Sequence, residues 1–132
     1  HRYDKDGKWQ SKFGGPGDGA GTFKTPHGLW IDRRNAHLPV VVVTDRAHNT
    51  LQRFTLDGEY IDTIDGFGLP ANIDTRGDLM LVPELVARVS ILDKENKVVA
   101  QLGADVERLS AETGEKQIRK DPAQWIDGKF VH

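Results

Sequence analysis

Residues 25–58 read TPHGLWIDRRNAHLPVVVVTDRAHNTLQRFTLDG. Three short apolar or alternating runs, His27 to Asp32, Pro39 to Asp45 and Thr50 to Thr55, are separated by polar turn residues, which is the pattern of antiparallel strands. A fourth run, Glu59 to Ile64, follows Asp57-Gly58, a pair that tolerates the positive φ of a tight hairpin. Antiparallel pairing of the first two runs sets the start of one beside the end of the other. His27 and Arg46 are therefore predicted to emerge on one rim, an imidazole beside a guanidinium. His37 falls in the turn at the opposite rim, which excludes it from any site built on His27.

Outward from this stretch the same four-run unit recurs. Upstream, His1 to Asp4 and Lys8 to Phe13 flank Asp6-Gly7, matching the third and fourth runs around Asp57-Gly58. Downstream, Ala71 to Thr75, Asp78 to Pro83, Arg88 to Leu92 and Lys97 to Leu102 repeat all four, with Glu95-Asn96 in place of Asp57-Gly58 and Leu51-Gln52-Arg53-Phe54 aligned on Arg88-Val89-Ser90-Ile91. The step from Pro26 to Pro70 is 44 residues, inside the roughly 40 to 50 residues of a four-stranded propeller blade. The units expected are two strands of one blade over 1–13, a full blade over 26–65, a second over 70–102, an inserted loop over 103–129 and the start of a further blade at 130–132. A blade buries one face against each neighbour, so the sequence predicts a piece of a longer, closed ring.

Composition narrows the function classes. The 132 residues carry 18 basic and 20 acidic side chains, a net charge of -2, which leaves no excess positive field for a phosphate backbone. Nucleic acid is not an expected partner. The absence of cysteine removes disulfides, thiolate-bound zinc and thiol catalysis. The longest apolar run, Leu38 to Val43, is far too short to span a bilayer. Two motifs fail on context: Gly15-Pro16-Gly17-Asp18-Gly19-Ala20 mimics a dinucleotide fingerprint but is followed by a proline-bearing strand, and Asp4-Lys5-Asp6-Gly7 lacks the other ligands of a calcium loop and reads as a hairpin turn. Trp9, Trp30 and Trp125 sit on different strands and are expected to pack between blades.

Aromatic-x-x-Pro-His-Gly-Leu-x-Ile-Asp, then Val-Val-Thr-Asp-Arg-x-x-Asn, then Leu-Gln-Arg-Phe-x-x-Asp-Gly resembles the NHL-repeat propellers, and Phe23 to Gly58 is most similar to the peptidyl-α-hydroxyglycine α-amidating lyases. The resemblance implies an all-β fold: a segment of a six-bladed β-propeller made of four-stranded antiparallel blades. It also implies a zinc ion on the axis held by three histidines from alternate blades, and a secreted or periplasmic setting. His27 matches a metal histidine, Arg46 an active-site arginine, and Ala71 takes the place of His27 one blade on. The other two histidines and the catalytic tyrosine would lie beyond this chain, since Tyr3 and Tyr60 fall on third- and fourth-strand positions. A structural calcium in the complete propeller is a further implication.

On that reading Arg46 orients a substrate carboxylate or stabilises developing negative charge, and the reaction is metal-dependent carbon–nitrogen lyase chemistry on a small-molecule or peptide substrate. Asp45, His48, Asn72 and Glu84 share the rim as residues that a ligand would meet. The plainer readings are that His27 caps a strand end, that Arg46 pairs with Asp45 or Asp32, that Asp45 bonds turn amides, and that Asn72 and Glu84 are solvated turn residues. Two other functions fit the architecture: a non-catalytic propeller whose rim loops, including Ala104 to Asp121, hold a protein or ligand, and a sugar-lactonase-like hydrolase. The latter coordinates its metal mainly through carboxylate and amide groups, which His27 argues against.

Overall fold

A computed structural model describes residues 1–103 of the chain. Strands β1 (Arg2–Tyr3) and β2 (Trp9–Ser11) form a hairpin. Strands β3 (Pro26–Asp32), β4 (Val40–Asp45), β5 (Thr50–Phe54) and β6 (Tyr60–Ile64) form one antiparallel meander. Strands β7 (Asp74–Arg76), β8 (Leu79–Glu84), β9 (Arg88–Leu92) and β10 (Val98–Gly103) form the next. The fold is all-β, two four-stranded propeller blades and half of another. The inserted loop and the strand start expected at 130–132 lie outside the described residues, except Gly103, which closes β10.

One turn design joins the last two strands of each unit. Asp4, Thr55 and Asp93 each donate their amide to the carbonyl four residues on, Lys8 at 2.9 Å, Glu59 at 2.8 Å and Lys97 at 3.0 Å. The fourth residue of each turn, Gly7, Gly58 or Asn96, takes positive φ, the conformation that glycine and asparagine accept most readily. The first side chain caps the turn: Asp4 Oδ1 accepts the Lys8 amide, Thr55 Oγ1 the Glu59 amide and Asp93 Oδ1 the Lys97 amide. Local chemistry thus sets the same hairpin three times, as the sequence predicts.

The blades meet through a dry layer. Val42 and Leu51 of the first blade pack with Met80, Val82 and Leu92 of the second, all at 0% exposure, joined by Phe67 and Ile73 from the connection. Each such side chain is worth about 1.5–3 kcal/mol, so this layer is the main term holding the blades together. On its far face the first blade buries Val41, Val43 and Phe54 against Phe13 and Phe23. Trp30 packs at the inter-blade layer and donates its indole N–H to Thr75 Oγ1 at 3.1 Å, the packing role expected for it. Trp9 departs from that expectation and is 53% exposed.

A charged clamp ties the blades at the rim holding the β3–β4 turn. The Arg34 side chain, 4% exposed, pairs with Asp32 at 2.8 Å. It also donates to the Asp93 carbonyl at 2.5 Å and to Asn96 Oδ1 at 2.6 Å, both in the β9–β10 turn of the second blade. Burial pushes the Asp32 carboxyl up, but the hydrogen bonds and charge of Arg34, with Arg53 behind, outweigh it and hold Asp32 below its usual range.

Two expectations are corrected. The first strand of the second blade is continuous only from Asp74 rather than from Ala71; ahead of it Pro70 pairs with Glu84 as an isolated bridge, as Pro26 pairs with Asp45 one blade earlier. The third-strand alignment shifts by one, so that Gln52 corresponds to Ser90: each lies opposite a core valine, Val43 and Val82. The connection before β9 is one residue shorter than that before β5, and a one-residue slip exchanges the two faces of a strand.

Arg34→Ala strands the buried Asp32 carboxylate and is expected to lower stability by about 3 kcal/mol. Exposed Arg33→Ala, its control, is expected to stay within about 0.5 kcal/mol. Urea unfolding followed by circular dichroism checks both.

Candidate functional site

His27 owes its position to a β-bulge. The β3–β4 register runs Pro26 opposite Asp45 and then Leu29 opposite Val43, so one extra residue sits in β3 at His27-Gly28. The displaced Gly28 amide is captured by Thr44 Oγ1 at 2.6 Å. Such a bulge re-aims a side chain, and His27 Nδ1 lies 2.6 Å from the Ala71 carbonyl of the next blade. A carbonyl only accepts, so the hydrogen is on Nδ1 and the neutral ring keeps its lone pair on Nε2. The residue is exposed, and this tautomer suits metal ligation. Gly28 makes the approach possible, because a Cβ there would meet the Ala71 oxygen at 2.7 Å and Asn72 Cα at 2.9 Å.

Arg46 stands at the same end of the sheet. It opens the 3-10 turn Arg46–His48, and its amide donates to the Thr25 carbonyl at 2.9 Å. Neither carboxylate that the sequence offers as a partner is available. Asp45 is filled by other groups, and Asp32 is engaged by Arg34 near the other end of β3.

Asp45, fully buried, is a structural latch. It accepts the amides of Lys24 at 3.1 Å and Thr25 at 2.8 Å, His48 Nδ1 at 2.6 Å and the Gln52 amide at 3.3 Å. The turn-amide role expected for it is what it does. Glu84 fills the same place one blade on and corrects the expectation of a solvated turn residue: it is 5% exposed. It accepts the Gly68 amide, Arg88 Nε at 3.0 Å and Ser90 Oγ at 2.5 Å. Both acids end the second strand of a blade and hold the backbone that enters the first, so neither carboxylate is open to a ligand. Asn72 is exposed beside Gly28.

His48 has both nitrogens occupied, Nδ1 by Asp45 and Nε2 by Asp18 Oδ1 at 2.9 Å. Sequence reasoning overlooked Asp18 and Gln52. The signal for Asp18 was present, since it is the only charged residue between Gly14 and Thr22. A cleft of about 350 Å3 opens beside His48, lined by Asp18, Thr50, Gln52, Thr63 and Asp65. A cleft of about 850 Å3 lies at the opposite rim among His37, Leu38, Arg53 and Lys94, away from His27 as the placement of His37 requires. Among the described residues no three histidine or acidic side chains converge as a metal cluster, and no helix is long and apolar enough to cross a membrane.

The DUF5128 family model, described as a 6-bladed beta-propeller, matches residues 3–72, slightly more than half of the chain. The description names an architecture and no reaction. None of the curated proteins compared with the chain matches it.

Gly28→Ala forces a methyl group into backbone of the neighbouring blade, which cannot yield as a flexible side chain would. A loss of about 1–3 kcal/mol is expected in urea unfolding, with movement of the His27 ring resonances in NMR spectra as the bond to Ala71 lengthens.

Proposed function

We propose that this chain, which belongs to that six-bladed β-propeller family, uses the rim carrying His27 and Arg46 to hold a ligand near the propeller axis, with His27 as one zinc ligand in an amidating-lyase-like site. The observation that carries this reading is the bond from His27 Nδ1 to the Ala71 carbonyl. It orients the ring and reserves Nε2 for a ligand, the usual arrangement of a metal-bound histidine. Ala71, at the matching position of the next blade, contributes only its carbonyl, in keeping with ligands drawn from alternate blades.

The donor chemistry fits zinc, with one ligand supplied by the described residues and the remainder expected from blades elsewhere in the ring. Zinc bound there would supply Lewis-acid polarisation of a substrate oxygen. Arg46 would hold a substrate carboxylate, as a fixed guanidinium does with two parallel hydrogen bonds. Asp45 and Glu84 stay on backbone amides and take no proton from substrate. A non-catalytic ligand-binding propeller is favoured by one specific observation: Asp45, His48 and Glu84, three of the rim candidates, serve the scaffold instead. The same commitment of carboxylates removes Asp45 and Glu84 as ligands for a lactonase-type metal.

Zinc titration by calorimetry, on the chain and on the complete propeller that contains it, separates these readings. Loss of a direct ligand is expected to cost at least the roughly 10–100-fold in affinity that loss of a supporting partner costs, so His27→Ala should weaken zinc by that much or more. Unchanged zinc affinity in His27→Ala removes the metal role. A peptidyl-α-hydroxyglycine substrate left uncleaved by the zinc-loaded protein leaves the binding propeller.

A further inference from the structure

Segment 14–22 is tied at both ends by groups that do not titrate near neutral pH. The Gly21 amide donates to Gln52 Oε1 at 3.0 Å, and Gln52 Nε2 donates to the Thr22 carbonyl at 2.5 Å. The Phe23 amide reaches the Gly15 carbonyl at 2.7 Å, and the Gly17 amide the Phe23 carbonyl at 3.1 Å. The tip between these ties is held differently. Asp18 Oδ1 meets His48 Nε2 at 2.9 Å, while His48 Nδ1 meets Asp45 Oδ2 at 2.6 Å. Ionised carboxylates only accept, so both bonds together require a hydrogen on each ring nitrogen, which is the imidazolium.

Asp18, Gly19 and Ala20 wall one side of the 350 Å3 cleft whose other lining includes Thr50, Gln52, Thr63 and Asp65. We propose that residues 18–20 are a proton-latched flap over this cleft, closed while His48 bridges Asp18 and Asp45 and released when the ring gives up a proton. The flap gates approach to the cleft next to the turn that carries Arg46, and it stands whether or not that rim binds zinc.

The charged groups around the ring are Asp45 on β4, Asp18 on the segment, Lys24 just after it, Asp65 across the cleft and Arg46 on the same turn. Hydrogen bonds donated to Asp18 and then to Asp45 raise His48 above its ordinary value, against a smaller opposing effect of burial. A bridge of this kind is at full strength below the unfolded-chain histidine value and is lost as pH rises through the higher folded value. Release therefore falls on the alkaline side of the ordinary histidine range. Lys24 Nζ lies 3.8 Å from Asp18 Oδ1.

Amide hydrogen exchange on the full chain tests this. The Thr22 amide, bonded to the Gly19 carbonyl at 3.1 Å, reports the flap, and the Gly21 amide on Gln52 is the internal reference that cancels base catalysis. The exchange ratio of Thr22 to Gly21 is expected to rise roughly two- to fivefold between about pH 6 and 9, the size an exposed charge pair supports, with the midpoint of the His48 ring titration. In Asp18→Ala the ratio is expected to be high and flat, whereas Lys24→Ala keeps the transition. A flat ratio in the unaltered chain, or the same transition in Asp18→Ala, overturns the proposal.

Discussion

Neighbouring blades of a propeller pack face to face, and here they approach at one point as a glycine against a backbone. Gly28 faces the Ala71 carbonyl and Asn72 Cα at a distance where no Cβ fits. The bulge that puts Gly28 there also turns His27 onto the Ala71 carbonyl. The blade contact and the orientation of the candidate ligand thus follow from one close approach.

Elements whose cause is local were legible from the sequence. The three hairpin turns follow from a capping side chain at the first position and a residue suited to positive φ at the fourth, and both sit within five residues of chain. The strands from β3 to β6 likewise follow from short runs between polar turns. Placing His27 and Arg46 at one end of the sheet needed only the antiparallel rule, and the register of Pro26 with Asp45 bears it out.

What escaped was decided between distant segments. Arg33 and Arg34 are adjacent and identical in type, yet only Arg34 reaches the second blade, because its partners Asp93 and Asn96 lie 59 and 62 residues away. Glu84 looked like a turn acid because its buried partners, the Gly68 amide and Ser90, are brought to it by the strap entering the blade and by the next strand. Asp18 sat in a motif judged only for phosphate binding, and its partner His48 lies 30 residues further on. Periodicity reads which face a residue takes; it does not read what meets that face.

These same distant contacts divide the rim into two classes of polar group. A buried carboxylate is stable only when its oxygens are satisfied, and Asp45 and Glu84 meet that demand by gathering the amides of the incoming strap, in one blade as in the next. Their regularity marks them as part of the repeat, since a group that recurs at the same place in each blade answers a need each blade has. His27 breaks the repeat: its counterpart is Ala71, which offers a backbone oxygen and no side-chain donor. Arg46 breaks it as well, because the shorter turn after Glu84 begins with Leu85. The proposed ligand site therefore rests on His27 and Arg46, which the repeat does not require, rather than on the buried carboxylates around them, which it does.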